Sequence, residues 1–286
     1  MVKKIAGCLI LLFFSPFFAN AARLYFYPDN GEFHQNDIFT TQLRIDTQNQ
    51  NINLGEIDIE FSKDYLNVVN ISDAKSLFNL WPKSAIFDNQ IGIISLVGGV
   101  PNGFNGNGII SLIAFKALAD GSAKITFGPT TKILLNDGLG TPAQINFNAA
   151  DFTILAGSLA APKNEWEEAV GSDNIPPKSF EVKVEKIEGK YFAIFSTTDQ
   201  ESGIDHYEIR EGKGNWKTAA SPYLLENQNL TDKILVRAMD KAGNERISEY
   251  KPAGKLLLYL AIIITILILA GIIWLIKLKR RRKNAE

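Results

Sequence analysis

Three carboxylates stand at alternate positions of one short segment, Glu56, Asp58 and Glu60, with Ile57, Ile59 and Phe61 interleaved. On an extended chain such residues share one face at roughly 7 Å spacing. That row could meet a cationic partner surface or, helped by loop carbonyls, a Ca²⁺ ion. The bland alternative is a solvated face whose charges discourage edge pairing. Other reactive groups are sparse: two histidines, His34 and His206, and one cysteine, Cys8. A Ser-His-Asp site could use only one histidine, and there is no nucleophile elbow. No His-Glu-x-x-His or Cys/His cluster marks a transition-metal site. The chain therefore reads as a non-enzyme without a resident cofactor or metal, Ca²⁺ being the one ion its acidic groups suit. The glycine-rich run Gly98 to Gly108 lacks a terminal Gly-Lys-Ser/Thr and leads into the strand-like Ile109 to Lys116. It reads as a loop with backbone freedom, not a phosphate cradle, and Phe104 on it is a further candidate contact residue. Asp137 and Asp240 sit in turn clusters and read as backbone-capping residues.

Strands must position that row. From Arg23 to about Leu155 the hydrophobic period is two: Phe39, Thr41, Leu43 and Ile45 alternate with Thr40, Gln42, Arg44 and Asp46. Ile125 with Phe127, and Phe152 with Ile154, repeat the pattern of half-buried strands. Turn clusters such as Pro28-Asp29-Asn30-Gly31 and Asn136-Asp137-Gly138 separate them. Short strands without a long amphipathic helix predict a β-sandwich over 23–156. Residues 157–175, with small residues, Pro162 and an acidic Glu165-Trp166-Glu167-Glu168, read as a linker. A second β unit, 176–250, alternates again at Phe180, Val182 and Val184, at Tyr191, Ala193 and Phe195, and at Ile234, Val236 and Ala238.

The ends of the chain add a membrane address. Lys3 and Lys4, the apolar Ile5 to Phe18 and the small-x-small Ala19-Asn20-Ala21 read as a secretory signal over 1–22. An uncleaved anchor is disfavoured by the short apolar run, which Pro16 interrupts. Leu256 to Ile276 is uncharged and long enough to span a bilayer as a helix, set within 255–277. A basic tail, 278–286, follows, and Lys277 precedes it. The positive-inside rule places that tail in the cytoplasm and the two β units outside a single-pass anchor in the cell membrane. The fold class expected is thus all-β, two β-sandwich domains plus one transmembrane α-helix.

The formal charge of −1 hides an asymmetry. Leaving aside Lys3, Lys4, Lys277, the five tail cations and Glu286, the remainder holds 22 basic against 30 acidic residues, about −8. An acidic exterior disfavours nucleic acid, whose binding depends on phosphate neutralisation. The basic tail suits anionic lipid instead.

Residues from about Arg23 to Leu155 resemble a cohesin domain, of the sandwich superfamily that also holds cellulose-type carbohydrate-binding modules. The likeness rests on Tyr27-Pro28 before the Gly31 turn, Asn36-Asp37, Ile45-Asp46-Thr47, Asn53 to Phe61 leading to Leu66-Asn67-Val68-Val69, Gly98-Gly99, Gly106, Ile113 to Ala117, Gly121 and Asn136-Asp137-Gly138. Asn36 departs from the family, which usually has glycine there. The resemblance implies a dockerin-like protein partner on the outer face carrying Glu56, Asp58 and Glu60. Residues Asn174 to Arg246 resemble bacterial immunoglobulin or fibronectin-III-like modules, on Pro176-Pro177, Ser202-Gly203-Ile204, Tyr207-Glu208-Ile209, Val236-Arg237-Ala238 and Asp240 to Asn244. The alternative is a receptor or adhesin for extracellular polysaccharide. That normally needs a planar aromatic row, and Tyr25, Tyr27, Phe78, Trp81 and Phe104 do not form one recognisable strip.

Overall fold

A computed structural model describes residues 21–157, 160–252 and 261–274. They form two compact units. The first holds the described residues up to Asp173 together with Thr198–Gly203, and the second holds Asn174–Thr197 and the described residues from Ile204 onward.

The first unit runs β1 (Ala22–Tyr27), β2 (Asn30–His34), β3 (Ile38–Asp46), β4 (Ile52–Phe61), β5 (Leu66–Ser72), β6 (Ile86–Asp88), β7 (Ile93–Phe104), β8 (Asn107–Ala117), β9 (Gly121–Phe127), β10 (Lys132–Leu135), β11 (Ile145–Asn148), β12 (Ala150–Leu155) and α1 (Glu165–Gly171). One sheet has the order β11-β1-β3-β8-β5, and the other β2-β12-β9-β4-β7-β6 with β10 also on β4. Alternation decides which side chains meet between them. Phe39, Thr41, Leu43 and Ile45 are fully buried, as are Ile57 and Ile59, while their sequence neighbours point outward. Each such aliphatic or aromatic side chain contributes about 1.5–3 kcal/mol on burial. The buried Thr41 hydroxyl donates to the Pro28 carbonyl at 2.8 Å, so it costs little there. Phe33 stacks on Phe39 at 3.9 Å between ring centres, tying β2 to β3. Asn36 has φ +75°, a conformation that asparagine is among the few residues besides glycine to tolerate.

Two segments differ from their sequence reading. The glycine-rich run is largely strand, with the turn confined to the residues between β7 and β8. Its glycines serve packing. A Cβ on Gly98 would lie 2.8 Å from the Phe78 and Trp81 rings, and one on Gly99 would lie 2.9 Å from the Asn53 carbonyl. Inside 157–175, the expected linker, lies helix α1. Asn164 caps it, accepting from the Glu167 amide at 3.0 Å. Residues 163–165 are fastened to the start of β3 and the residue before it: Lys163 N–H donates to Asp37 at 2.8 Å, and Thr40 N–H donates to Glu165 Oε2 at 2.8 Å. With 7 residues the helix is too short to show a 3.6-residue period.

The second unit contains β13 (Lys183–Ile187), β14 (Lys190–Ile194), β15 (Ile204–Glu211), β16 (Lys217–Ala219), β17 (Tyr223–Leu224), β18 (Ile234–Asp240) and β19 (Glu245–Tyr250). They form a sheet β13-β14-β17 and a sheet β16-β15-β18-β19. Val182, Ala193, Phe195, Ile209, Leu225, Ile234 and Val236 make the shared core. Asp240 closes the turn after β18, accepting from Ala242 N–H at 3.0 Å and Asn244 N–H at 2.8 Å.

The secondary structure is thus mostly β-sheet in sandwich-like pairs. Residues 261–274 are helical, and Ile262, Ile266, Leu267 and Trp274 are 47–65% exposed. No helix among the described residues is long and apolar enough to cross a membrane. The flanks of Leu256 to Ile276, the basic tail and the signal segment with Cys8 lie outside the described residues.

Candidate functional site

Strand β4 lies inside its sheet, with β7 on one side and β9 and β10 on the other. With Ile57, Ile59 and Phe61 pointing into the core, Glu56, Asp58 and Glu60 stand on the outer face. Their cross-strand partners define a grid. Glu60 lies opposite Ile93, which pairs with Asp88; Asp58 lies opposite Ser95, which pairs with Ile86; Glu56 lies between Val97 and Lys132. The next row holds Leu54 between Gly99 and Leu134.

The three carboxylates are not equivalent. Glu56 is ion-paired to Lys132 at 2.8 Å, both side chains being about half exposed. Such a surface pair contributes at most about 1 kcal/mol. Asp58 accepts from the hydroxyls of Ser95 and Thr130. Its backbone is also held: Asp58 N–H donates to Thr131 Oγ1 at 3.0 Å, and its carbonyl accepts from that hydroxyl at 2.8 Å. The Gly128 amide donates to the same carbonyl at 2.8 Å. Glu60 is exposed and has no hydrogen-bond or ion-pair partner among the described residues. One paired, one locked and one open carboxylate do not form a cage for Ca²⁺; the three are not among the acidic groups that converge on one point.

Apolar side chains complete the face. Ile86 is 66% exposed, Ile93 38% and Leu80 45%. Leu80 bridges to Gly99, at the edge of a groove of about 390 Å³ lined also by Leu54, Pro82, Pro101 and Leu134. Sequence reasoning found the acidic row but not these neighbours, because β6 is only 3 residues long and carries no alternation to read. Phe104 is absent from the face. It pairs with Ile52 at the end of β7 and packs, half-buried, against the core.

The two histidines belong to different units. His34 Nδ1 lies 3.9 Å from Asp37 in the first unit, and His206 Nδ1 lies 2.6 Å from Asp205 in the second. Both are exposed on their side chains and sit beside a sequence neighbour.

No protein-family profile matches this chain, and no curated protein matches it. Solved structures are similar over about half of it. A non-cellulosomal cohesin from the hyperthermophilic archaeon Archaeoglobus fulgidus is 16% identical, covering 47% of this chain and 91% of its own, with a TM-score of 0.35. The type I cohesin–dockerin complex Coh-OlpC–Doc435 from Clostridium thermocellum gives 10% identity, 48% and 94% coverage and a TM-score of 0.41. The seventh ScaB type I cohesin from Pseudobacteroides cellulosolvens gives 14%, 49% and 97%, and 0.40.

Proposed function

We propose that this chain is a membrane-anchored cell-surface binding protein whose first unit captures a partner protein on the outer face of β4, β7 and β6. The observation that carries the reading is the grid itself. Exposed Ile93 stands opposite Glu60, which has no partner among the described residues, and exposed Ile86 shares a row with the immobilised Asp58, one strand further on beyond Ser95. Exposed aliphatic groups gain from burial, and fixed charges select the partner's sign and register at little entropic cost. A partner with an apolar ridge flanked by Lys or Arg fits. The sequence resemblance to cohesins makes a dockerin-like module the first candidate, with the second unit as an immunoglobulin or fibronectin-III-like spacer.

The signal-like start, the basic end and the apolar helical stretch 261–274 support export and anchoring. A helix with aliphatic residues exposed on all sides suits lipid as its solvent. No catalytic step is assigned to His34 or His206.

Polysaccharide binding draws less support. Tyr25 and Tyr27 share the outer face of β1, yet the Arg23 guanidinium sits 4.3 Å over the Tyr25 ring. The Tyr25 hydroxyl is also engaged with Asn107, at 3.0 Å. Of these two rings only Tyr27 remains open, 62% exposed, and one ring is not a stacking row.

The test is capture from the surface and secreted fractions of the same cells by the detergent-solubilised full chain. A specific protein lost on Glu60→Lys supports the reading. Binding that is indifferent to Glu60 and Ile86, or retention of a glycan alone, overturns it.

A further inference from the structure

Asn-x-Ser/Thr is the acceptor pattern for N-linked glycans when the middle residue is not proline. The chain has it twice, at Asn70-Ile71-Ser72 and at Asn229-Leu230-Thr231. The fold treats the two differently. Asn70 is half-buried within β5, and Ser72 is 1% exposed. The Ser72 hydroxyl is also spent, donating to the Ser202 carbonyl at 2.6 Å and accepting from the Ala74 amide at 3.0 Å. A transferase could read that site only in the unfolded chain.

The second occurrence lies in an exposed turn between β17 and β18. Asn227 builds the turn: its side-chain oxygen accepts from the Asn229 amide at 3.0 Å, and its carbonyl accepts from the Leu230 amide at 3.3 Å. Leu230, at φ +48°, packs its side chain on the core of the second unit. That inward anchor turns Asn229 and Thr231 outward on either side, and both are exposed. The Asn229 carboxamide makes no hydrogen bond among the described residues, so Nδ2 is available. Thr231 Oγ1 accepts from Asn227 Nδ2 at 2.7 Å and donates to Asp232 Oδ2 at 3.5 Å, but unlike the buried Ser72 it does so at the surface.

We propose that Asn229 carries an N-linked glycan, a reading that rests on the export proposed above. The donor is a lipid-phosphate-linked oligosaccharide. Asn229 Nδ2 bonds to the anomeric carbon of the reducing-end sugar as that carbon's bond to the phosphate oxygen breaks. One amide proton is lost, the lipid phosphate leaves, and no electron transfer is involved. The modification covers the turn between β17 and β18 with glycan and adds bulk against proteolysis there.

The test uses full-length protein isolated from its own cells. Trypsin releases Thr218–Lys233 with Asn229 and Asp64–Lys75 with Asn70, and mass spectrometry reads both. The expected result is a glycan mass on the first peptide, at Asn229, and an unmodified second. Asn229→Gln and Thr231→Ala should each abolish that mass and sharpen the gel band, with the thermal midpoint unchanged. An unmodified Asn229 overturns the proposal. The mature N-terminus of the same sample separates the causes: cleavage near Ala22 leaves export standing, whereas a retained Met1 removes the export reading as well.

Discussion

Thr131 closes a small ring on the backbone of Asp58, accepting from its amide at 3.0 Å and donating to its carbonyl at 2.8 Å. The two residues are 73 positions apart, yet this contact fixes the middle carboxylate of the outer row. Thr131→Val keeps the shape and loses both bonds. At about 0.5–1.5 kcal/mol each, the first unit should be destabilised by about 1–3 kcal/mol. Chemical denaturation of the full chain, read at the transition of the first unit, measures it; an unchanged midpoint would remove the clasp from the account.

The carboxylates should respond separately. Glu60→Lys removes no internal bond and should shift stability by about 0.5 kcal/mol or less. Partner binding should fall at least about tenfold, roughly 1.4 kcal/mol, because the new cation would face the basic surface proposed for the partner. Asp58→Lys should lower stability outright, since Ser95 and Thr130 lose their acceptor. Titration calorimetry and melts on both variants make the comparison, and equal melting of the two would contradict it.

Glu165 should act as a latch for α1. Its carboxylate takes the Thr40 amide and hydroxyl, at 2.8 and 3.2 Å. Limited proteolysis of the wild type should cut around 157–162 or 174–178 before it cuts inside α1. Glu165→Ala should open new cleavage between Glu165 and Gly171. Unaltered fragments would show that the helix is held by something else.

In the second unit, acid should erase one contribution. Glu249 is held below the usual carboxylate range, first by the hydrogen bond from Lys251 and then by that from Lys233. A lowered folded value means the stabilisation is full above the unfolded pKa and disappears as pH falls through the folded one. Glu249→Gln should therefore unfold more easily than wild type at neutral pH, and the two curves should merge in acid. A gap that persists at the lowest pH would assign the effect to packing.

The orientation proposed above rests on the Lys and Arg excess after Ile276. Protease added to intact cells should remove the β units and spare an epitope placed after Glu286. Loss of the epitope with retention of the β units would reverse the topology.

Alternation is a local property, and so the sequence by itself determined the strands and their faces. Phe39, Leu43, Ile57 and Ile59 had to point one way, and Glu56, Asp58 and Glu60 the other, because successive side chains of a strand diverge. Composition likewise determined the lack of disulfides in the β units, since Cys8 precedes them, and the apolar stretch near the end. Tertiary structure decided everything that depends on pairing across long separations. Only the return of Gly128–Thr131 to β4 locks Asp58, only β10 brings Lys132 to Glu56, and only β6 sets Ile86 in the same row. Phe104 turns to the core because it pairs with Ile52 beyond an irregularity in the register, a shift that no periodicity announces. Helix α1 exists because Asp37 and Thr40 of the first unit hold residues 163–165, not because seven residues favour a helix alone. Residue type and spacing are written along the chain, whereas the engagement of each carboxylate belongs to neighbours that only folding supplies.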